Sequence, residues 1–150
     1  MKDGRRARRE IVRHPGAVAV LCRLADGRFV FVRQFRKAIE RELVEIVAGT
    51  REPGEGPDAC ARREVQEETG CKVASLERLG CIYTAPGFCN EKIDIYFAGL
   101  GRAGGRPRPD PDEHIALVCL SARQVRAMLA SGKIKDAKTL AAWLMFKNRR

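Results

Sequence analysis

The chain has 150 residues, 45% of them hydrophobic and 32% charged, with a formal net charge of +10, the make-up of one globular domain able to bury a core of its own. Its longest apolar run, AVAVLC at residues 17–22, falls far short of the roughly 20 residues that span a bilayer. The basic start MKDGRRARRE has no apolar stretch behind it that would read as a signal peptide, so the expectation is a cytoplasmic protein, one domain over residues 1–150 with residues 1–13 a basic, partly ordered segment.

GAVAVLCRL and RFVFVRQF are β-branched and aromatic stretches separated by ADG, which predicts a hairpin. ELVEIVAG reads as one further short strand ending at Gly49. After the loop TREPGEGP a helix is predicted over 58–69, with Pro57 suited to its first turn and Gly70 to a left-handed stop. LERLGCIYT and KIDIYFAGL are predicted strands. Residues 99–113, GLGRAGGRPRPDPDE, hold four Gly and three Pro and read as a loop. HIALVCL returns to strand, and two helices follow: Ser121 with Gln124 makes a capping box, and Asp136 caps AKTLAAWLMF. Strands with one central and two late helices predict an α/β or α+β chain folded as a sandwich.

The six cysteines show no CxxC pair and no His at zinc-ligand spacing, and stretches such as VLCRL and LVCLS predict reduced core thiols. The basic residues gather in KDGRRARREIVR and KNRR. Such charge steers anions without specifying them. Aromatic content is only 6% and no interleaved RNA-binding fingerprint is present, but composition alone leaves nucleic acid and a small anionic phosphate ester both open.

Against this basic background, the segment from Gly49 to Cys71 gathers Glu55, Asp58, Glu64, Glu67 and Glu68. At about 100° per residue, Glu64 and Glu68 share one helical face, and Glu67 lies within about 100° of both. Like charges so spaced repel, and the neighbouring strip Ala61 and Val65 turns this face toward the protein body. Either the helix is solvated and paired with Arg62 and Arg63, or a cation neutralises the carboxylates. With no His or Cys in the cluster, that cation would be a hard one with oxygen ligands, Mg²⁺ before all.

Gly49, five residues, Glu55, seven residues, then REVQEETGC at 63–71 resembles the Nudix box, with Cys71 where the family has an aliphatic residue. The resemblance implies the Nudix α/β/α sandwich with a mixed sheet and divalent-metal hydrolysis of a nucleoside diphosphate linked to another moiety. It implies Glu64 and Glu68 as principal metal ligands, Glu67 close by, and a further oxygen from the Ala48 carbonyl, with Mg²⁺ or alternatively Mn²⁺ as the cofactor. Glu55 and Arg63 match positions that pair and brace the loop–helix–loop, and Gly49 and Gly70 match its structural glycines.

VRQFRKAIERELVEIVAG, with Val47 in place of a proline, YTAPGFCNEKIDIYFA, with Pro86 sixteen residues after Gly70, and GKIKDAKTLAAWL extend the resemblance to the ADP-ribose pyrophosphatase group over residues 13–146. That group implies Arg36 on the adenine or phosphates, and Pro86, Gly87 and Phe88 beside the ribose. It also implies a water-activating carboxylate at the end of the Gly/Pro-rich loop: Glu113, with Asp112 in reserve and Glu67 after both. His14 and His114 are read as incidental. A homodimer is expected, while domain exchange through its first strands is left open. The expected reaction is hydrolysis of ADP-ribose to AMP and ribose 5-phosphate. The alternatives are another nucleoside diphosphate sugar, a dinucleoside polyphosphate, or an RNA-binding or RNA-processing role.

Overall fold

The run AVAVLC becomes strand β1 (Ala17–Arg23), whose first six residues are all buried. Side chains alternate across a strand with period two. Val18, Val20 and Cys22 therefore join one apolar cluster with Cys60, Ala61 and Val65 of helix α1 (Pro57–Thr69). Ala17, Ala19 and Leu21 join a second cluster with Val125 of α2 (Ala122–Ala130) and Trp143 of α3 (Ala137–Asn148). A sheet covered on both faces needs strands apolar on both faces, and this is why β1 reads as a continuous run. The computed structural model describes residues 8–103 and 115–149, and over these the architecture is the expected α/β/α sandwich.

Among the described residues seven strands form one mixed sheet in the order β3-β2-β1-β6-β5, with β4 on β1 and β7 on β2. β2 (Phe29–Arg36) follows β1 in the predicted hairpin, where Gly27 takes φ 88° and the Leu24 N–H donates to the Arg28 carbonyl at 2.8 Å. β1 and β6 (Lys92–Ala103) run parallel, whereas β5 (Cys71–Tyr83) and β7 (Ile115–Leu120) lie antiparallel to their neighbours β6 and β2.

The β1–β2 ladder is short, Cys22 on Val30 and Arg23 on Phe29, and beyond it the two strands part. The gap is filled by β3 (Arg41–Glu45) on β2 and β4 (Val47–Thr50) on β1. ELVEIVAG is therefore two strands and not one. Ile46, between them, gives its N–H to the Thr139 hydroxyl of α3 at 2.9 Å instead of to a ladder.

Two further expectations are corrected. Residues 99–103 of the predicted loop belong to β6; a Cβ on Gly99 would lie 2.6 Å from the Ser75 hydroxyl, so this glycine serves close strand pairing and not a turn. All six cysteines are free thiols, but only Cys22 and Cys60 are buried, while Cys81 and Cys119 are exposed. Among the described residues β7 pairs with β2 alone, and Leu117 and Cys119, which share one of its faces, are both exposed.

Candidate active site

Helix α1 sets one wall of the site. Pro57 lies in its first turn, and Gly70 closes it at φ 69° with its N–H on the Gln66 carbonyl at 2.9 Å. Tyr96 donates to Asp58 at 2.6 Å and ties the helix start to β6. Ala61 and Val65 are fully buried, which turns the adjoining carboxylates toward β4. Glu68, 6% exposed, accepts the Ala48 N–H at 3.4 Å. Glu64 reaches the space over Gly49, where an added Cβ would lie 1.9 Å from the carboxyl group. A residue without a side chain is what allows the strand and the carboxylate to coexist.

Arg63 gathers the acidic groups. It grips Glu55 with two bonds of 2.9 and 3.0 Å, gives Nη1 to Glu64 at 2.7 Å and Glu67 at 2.9 Å, and reaches the Thr50 carbonyl at 3.2 Å. Its hydrogen bonds hold the Glu55 carboxyl at about 2, far below the usual carboxylate range. Bonding to Glu55 likewise raises Arg63 above its ordinary value. Burial, followed by Glu55, pushes the Cys60 thiol up to about 12. Among the described residues no three His, Cys, Asp or Glu side chains stand together as a metal-holding group, and Arg63 Nη1 bonds both Glu64 and Glu67. The donors on this wall are nevertheless all oxygens, three carboxylates beside the Ala48 backbone, and the bare Gly49 leaves room for Glu64 among them. That set fits a hard divalent cation.

The wall opens on a cleft of about 860 Å³ lined also by the starts of β1, β6 and α3, by β4 and by the end of β2. Glu64, Glu67, Glu68, Ala48 and Arg36 all line it. Arg36, the last residue of β2, holds the buried Glu45 of β3 through bonds of 2.8 and 2.6 Å. Burial pushes the Glu45 carboxyl up, but Arg36 and Lys138 more than offset this and keep it below its ordinary value.

Pro86, Gly87 and Phe88 lie in the turn between β5 and β6 and are absent from the cleft lining; Phe88 is 59% exposed. Thr84 and Glu91, at the two ends of that turn, line the cleft instead and bond each other at 2.6 Å. His14 Nδ1 accepts the Gly16 N–H at 3.1 Å, and its Nε2 stands 3.5 Å from Glu91. Glu113, Asp112 and His114 lie outside the described residues. Sequence reasoning missed Glu45, Glu91 and Lys138; the last was quoted only as part of a helix, and the signal it offered was its place two residues after the cap Asp136.

The family model of the NUDIX domain matches residues 12–143, and the chain belongs to the Nudix family. It is 38% identical over 143 residues to the ADP-ribose pyrophosphatase of Bacillus subtilis, an alignment covering 95% of this chain and 77% of that protein. It is 40% identical, with the same coverage, to the methanol dehydrogenase activator of Bacillus methanolicus. Among solved structures, an ADP compounds hydrolase superposes with a TM-score of 0.78 at 22% identity, over 88% of this chain and 70% of that one, which establishes the shared fold.

Proposed function

We infer that this Nudix protein is a divalent-metal-dependent hydrolase that cleaves the pyrophosphate bond of ADP-ribose, giving AMP and ribose 5-phosphate. The observation that carries this reading is one cleft with three carboxylates and the Ala48 backbone on one wall and Arg36 on another. The activity named for the Bacillus subtilis relative supports the choice of substrate.

Water adds to one phosphorus, the bond from that phosphorus to the bridging oxygen breaks, and the bridging oxygen leaves on the other phosphate. Glu64, Glu67, Glu68 and the Ala48 carbonyl are the groups that would hold Mg²⁺, or Mn²⁺ in its place. Bound there, the cation supplies charge neutralisation of phosphate oxygens and a lowered pKa of water. Arg63, fixed by Glu55 and bonded to Glu64 and Glu67, balances these carboxylates. Arg36, oriented by Glu45, contacts the adenine or the phosphates, since a guanidinium suits either by stacking or by paired bonds. Glu113 activates the water, with Asp112 next in line. The turn Pro86–Phe88, whose ends Thr84 and Glu91 line the cleft, stands at the rim toward the ribose.

We place this activity in one domain, residues 1–150, working in the cytoplasm as a homodimer. Among the described residues no helix is long and apolar enough to cross a membrane. Phe35 and Ile39, 51% and 50% exposed, offer apolar surface to a second copy.

The reading is tested by comparing kcat/KM for ADP-ribose, a GDP-sugar, a UDP-sugar and diadenosine polyphosphates in Mg²⁺. ADP-ribose is expected to lead by about tenfold or more, the factor that ~1.4 kcal/mol of selective transition-state binding supplies. Preference for another diphosphate moves the substrate assignment to it. Steeply salt-dependent RNA binding with no diphosphate consumed would replace the enzyme reading altogether.

A further inference from the structure

We propose that Arg51 is a specificity-determining residue of the cleft, the cation that receives the phosphate on the ribose half of the substrate. The proposal rests on the function inferred above and adds to it a residue to which the box and its flanking motifs give no role.

Arg51 follows β4, and its backbone carries the β1–β4 pairing one residue further. Thr50 stands opposite Ala17, and the Arg51 N–H donates to the Gly16 carbonyl at 3.1 Å. The side chain then runs along the box loop, where Nε and Nη2 both donate to the Glu55 carbonyl, at 3.1 and 2.7 Å. Gly16 takes φ 99°, and a Cβ there would lie 3.8 Å from Arg51 Cδ and Nη1 and 3.6 Å from the Lys92 carbonyl. The Gly16 N–H in turn donates to His14 Nδ1, and His14 Nε2 stands 3.5 Å from Glu91. Arg51 is thereby joined through Gly16 and His14 to the β5–β6 turn, the rim given to the ribose. Arg36 has a different anchor, Glu45 of β3. Two cations with separate anchors in one cleft suit the two ends of a diphosphate ester.

Arg51 lines the cleft together with Glu64, Glu67 and Glu68. Among the described residues it makes no ion pair, and the Glu55 carbonyl that it bonds is neutral. A half-buried cation without an anion gains from an anionic ligand the pairing that the protein does not supply. The box loop is already braced by Arg63, which grips the Glu55 carboxylate. A guanidinium carries five donors in a fixed fork. The Glu55 carbonyl takes two of them, and Nη1 keeps both of its own for a ligand. Three carboxylates in the same lining repel a diphosphate, so fixed positive charge nearby helps to seat it.

The test uses Arg51→Leu, which keeps an aliphatic stem, and Arg51→Gln, which keeps a hydrogen bond to the Glu55 carbonyl should the first variant not fold. At saturating Mg²⁺, KM for ADP-ribose is expected to rise by about tenfold and kcat to hold within about threefold, the size of one lost charge-assisted bond. Binding of ribose 5-phosphate, read by calorimetry, should weaken by the same factor, whereas binding of AMP should stay at the parent value. Arg51→Lys, which restores the charge, should recover most of the ribose 5-phosphate affinity. A folded Leu or Gln variant with the parent affinity for ribose 5-phosphate overturns the proposal. So does a loss that falls equally on AMP and moves the Mg²⁺ midpoint, which would make Arg51 a brace for the box loop. Failure of the underlying reading looks different. A parent that binds ribose 5-phosphate through Arg51 yet leaves ADP-ribose intact sinks the substrate assignment and keeps Arg51. A parent that hydrolyses ADP-ribose with no dependence on Arg51 does the reverse, and one that neither binds ribose 5-phosphate nor hydrolyses ADP-ribose overturns both.

Discussion

Gly49 and Glu64 compete for one volume: a Cβ on Gly49 would stand 1.9 Å from the Glu64 carboxyl carbon. The neighbour is the far end of a flexible side chain, so Gly49→Ala is expected to displace the carboxylate and leave the strand in place. Metal affinity should fall by about tenfold or more, as when a ligand loses its support, while the melting temperature changes little. Activity titrated with Mg²⁺ beside a thermal melt checks this. An unchanged Mg²⁺ midpoint would remove Glu64 from the metal site.

Glu55 and Arg63 give the box a pH signature. The folded carboxyl titrates at about 2 against an ordinary 4.5, through the Arg63 hydrogen bonds. Between those values the unfolded chain binds more protons, so stability rises with pH across that window. The contribution is complete above about 4.5 and is lost as pH falls toward 2. Denaturant unfolding of the parent and Glu55→Gln should differ by a constant amount at neutral pH and converge in acid. A gap independent of pH down to 2.5 would contradict the pairing.

Thr139 joins α3 to the gap between β3 and β4, accepting the Ile46 N–H at 2.9 Å while 1% exposed. Thr139→Val keeps the shape and leaves a buried N–H unsatisfied, at a cost of about 1–3 kcal/mol. Equilibrium unfolding reads the loss, and parent stability in this variant would refute the anchoring role.

Much of this design is legible in the sequence where a local cause acts alone. The apolar run AVAVLC, the Ser121 capping box, the Asp136 cap and the Gly70 stop each depend on near neighbours and recur in the structure. What was not legible depends on distant partners. ELVEIVAG looks like one strand because only Thr139, 93 residues on, takes the Ile46 N–H out of the ladder. GLGRA looks like loop because the reason for Gly99 is Ser75 across the sheet. The acidic positions of the site could be read from their spacing on α1, whereas Glu91 and Lys138 reach the cleft, and Glu45 pairs with Lys138 behind it, only through the folding together of the β5–β6 turn, α3 and β3.

Glu113 is proposed to orient or deprotonate the attacking water. Glu113→Gln is expected to lower kcat by about 10²-fold or more with modest change in KM, since the loss falls on the transition state. The Mg²⁺ midpoint should hold, which separates this residue from Glu64 and Glu68. If Glu113→Gln and Asp112→Asn both keep the parent kcat, the base is elsewhere and Glu67 is tested next.

Product release from ADP-ribose by the parent and Glu64→Gln, each with Mg²⁺ and with EDTA, tests the central claim most directly. The parent in Mg²⁺ is expected to yield AMP and ribose 5-phosphate in equal amounts and to stop in EDTA. Glu64→Gln, nearly isosteric and folded, should run about 10²-fold or more slower even at saturating Mg²⁺. Turnover that survives EDTA, or a Glu64→Gln rate equal to that of the parent, would contradict a metal-dependent pyrophosphatase built on this helix.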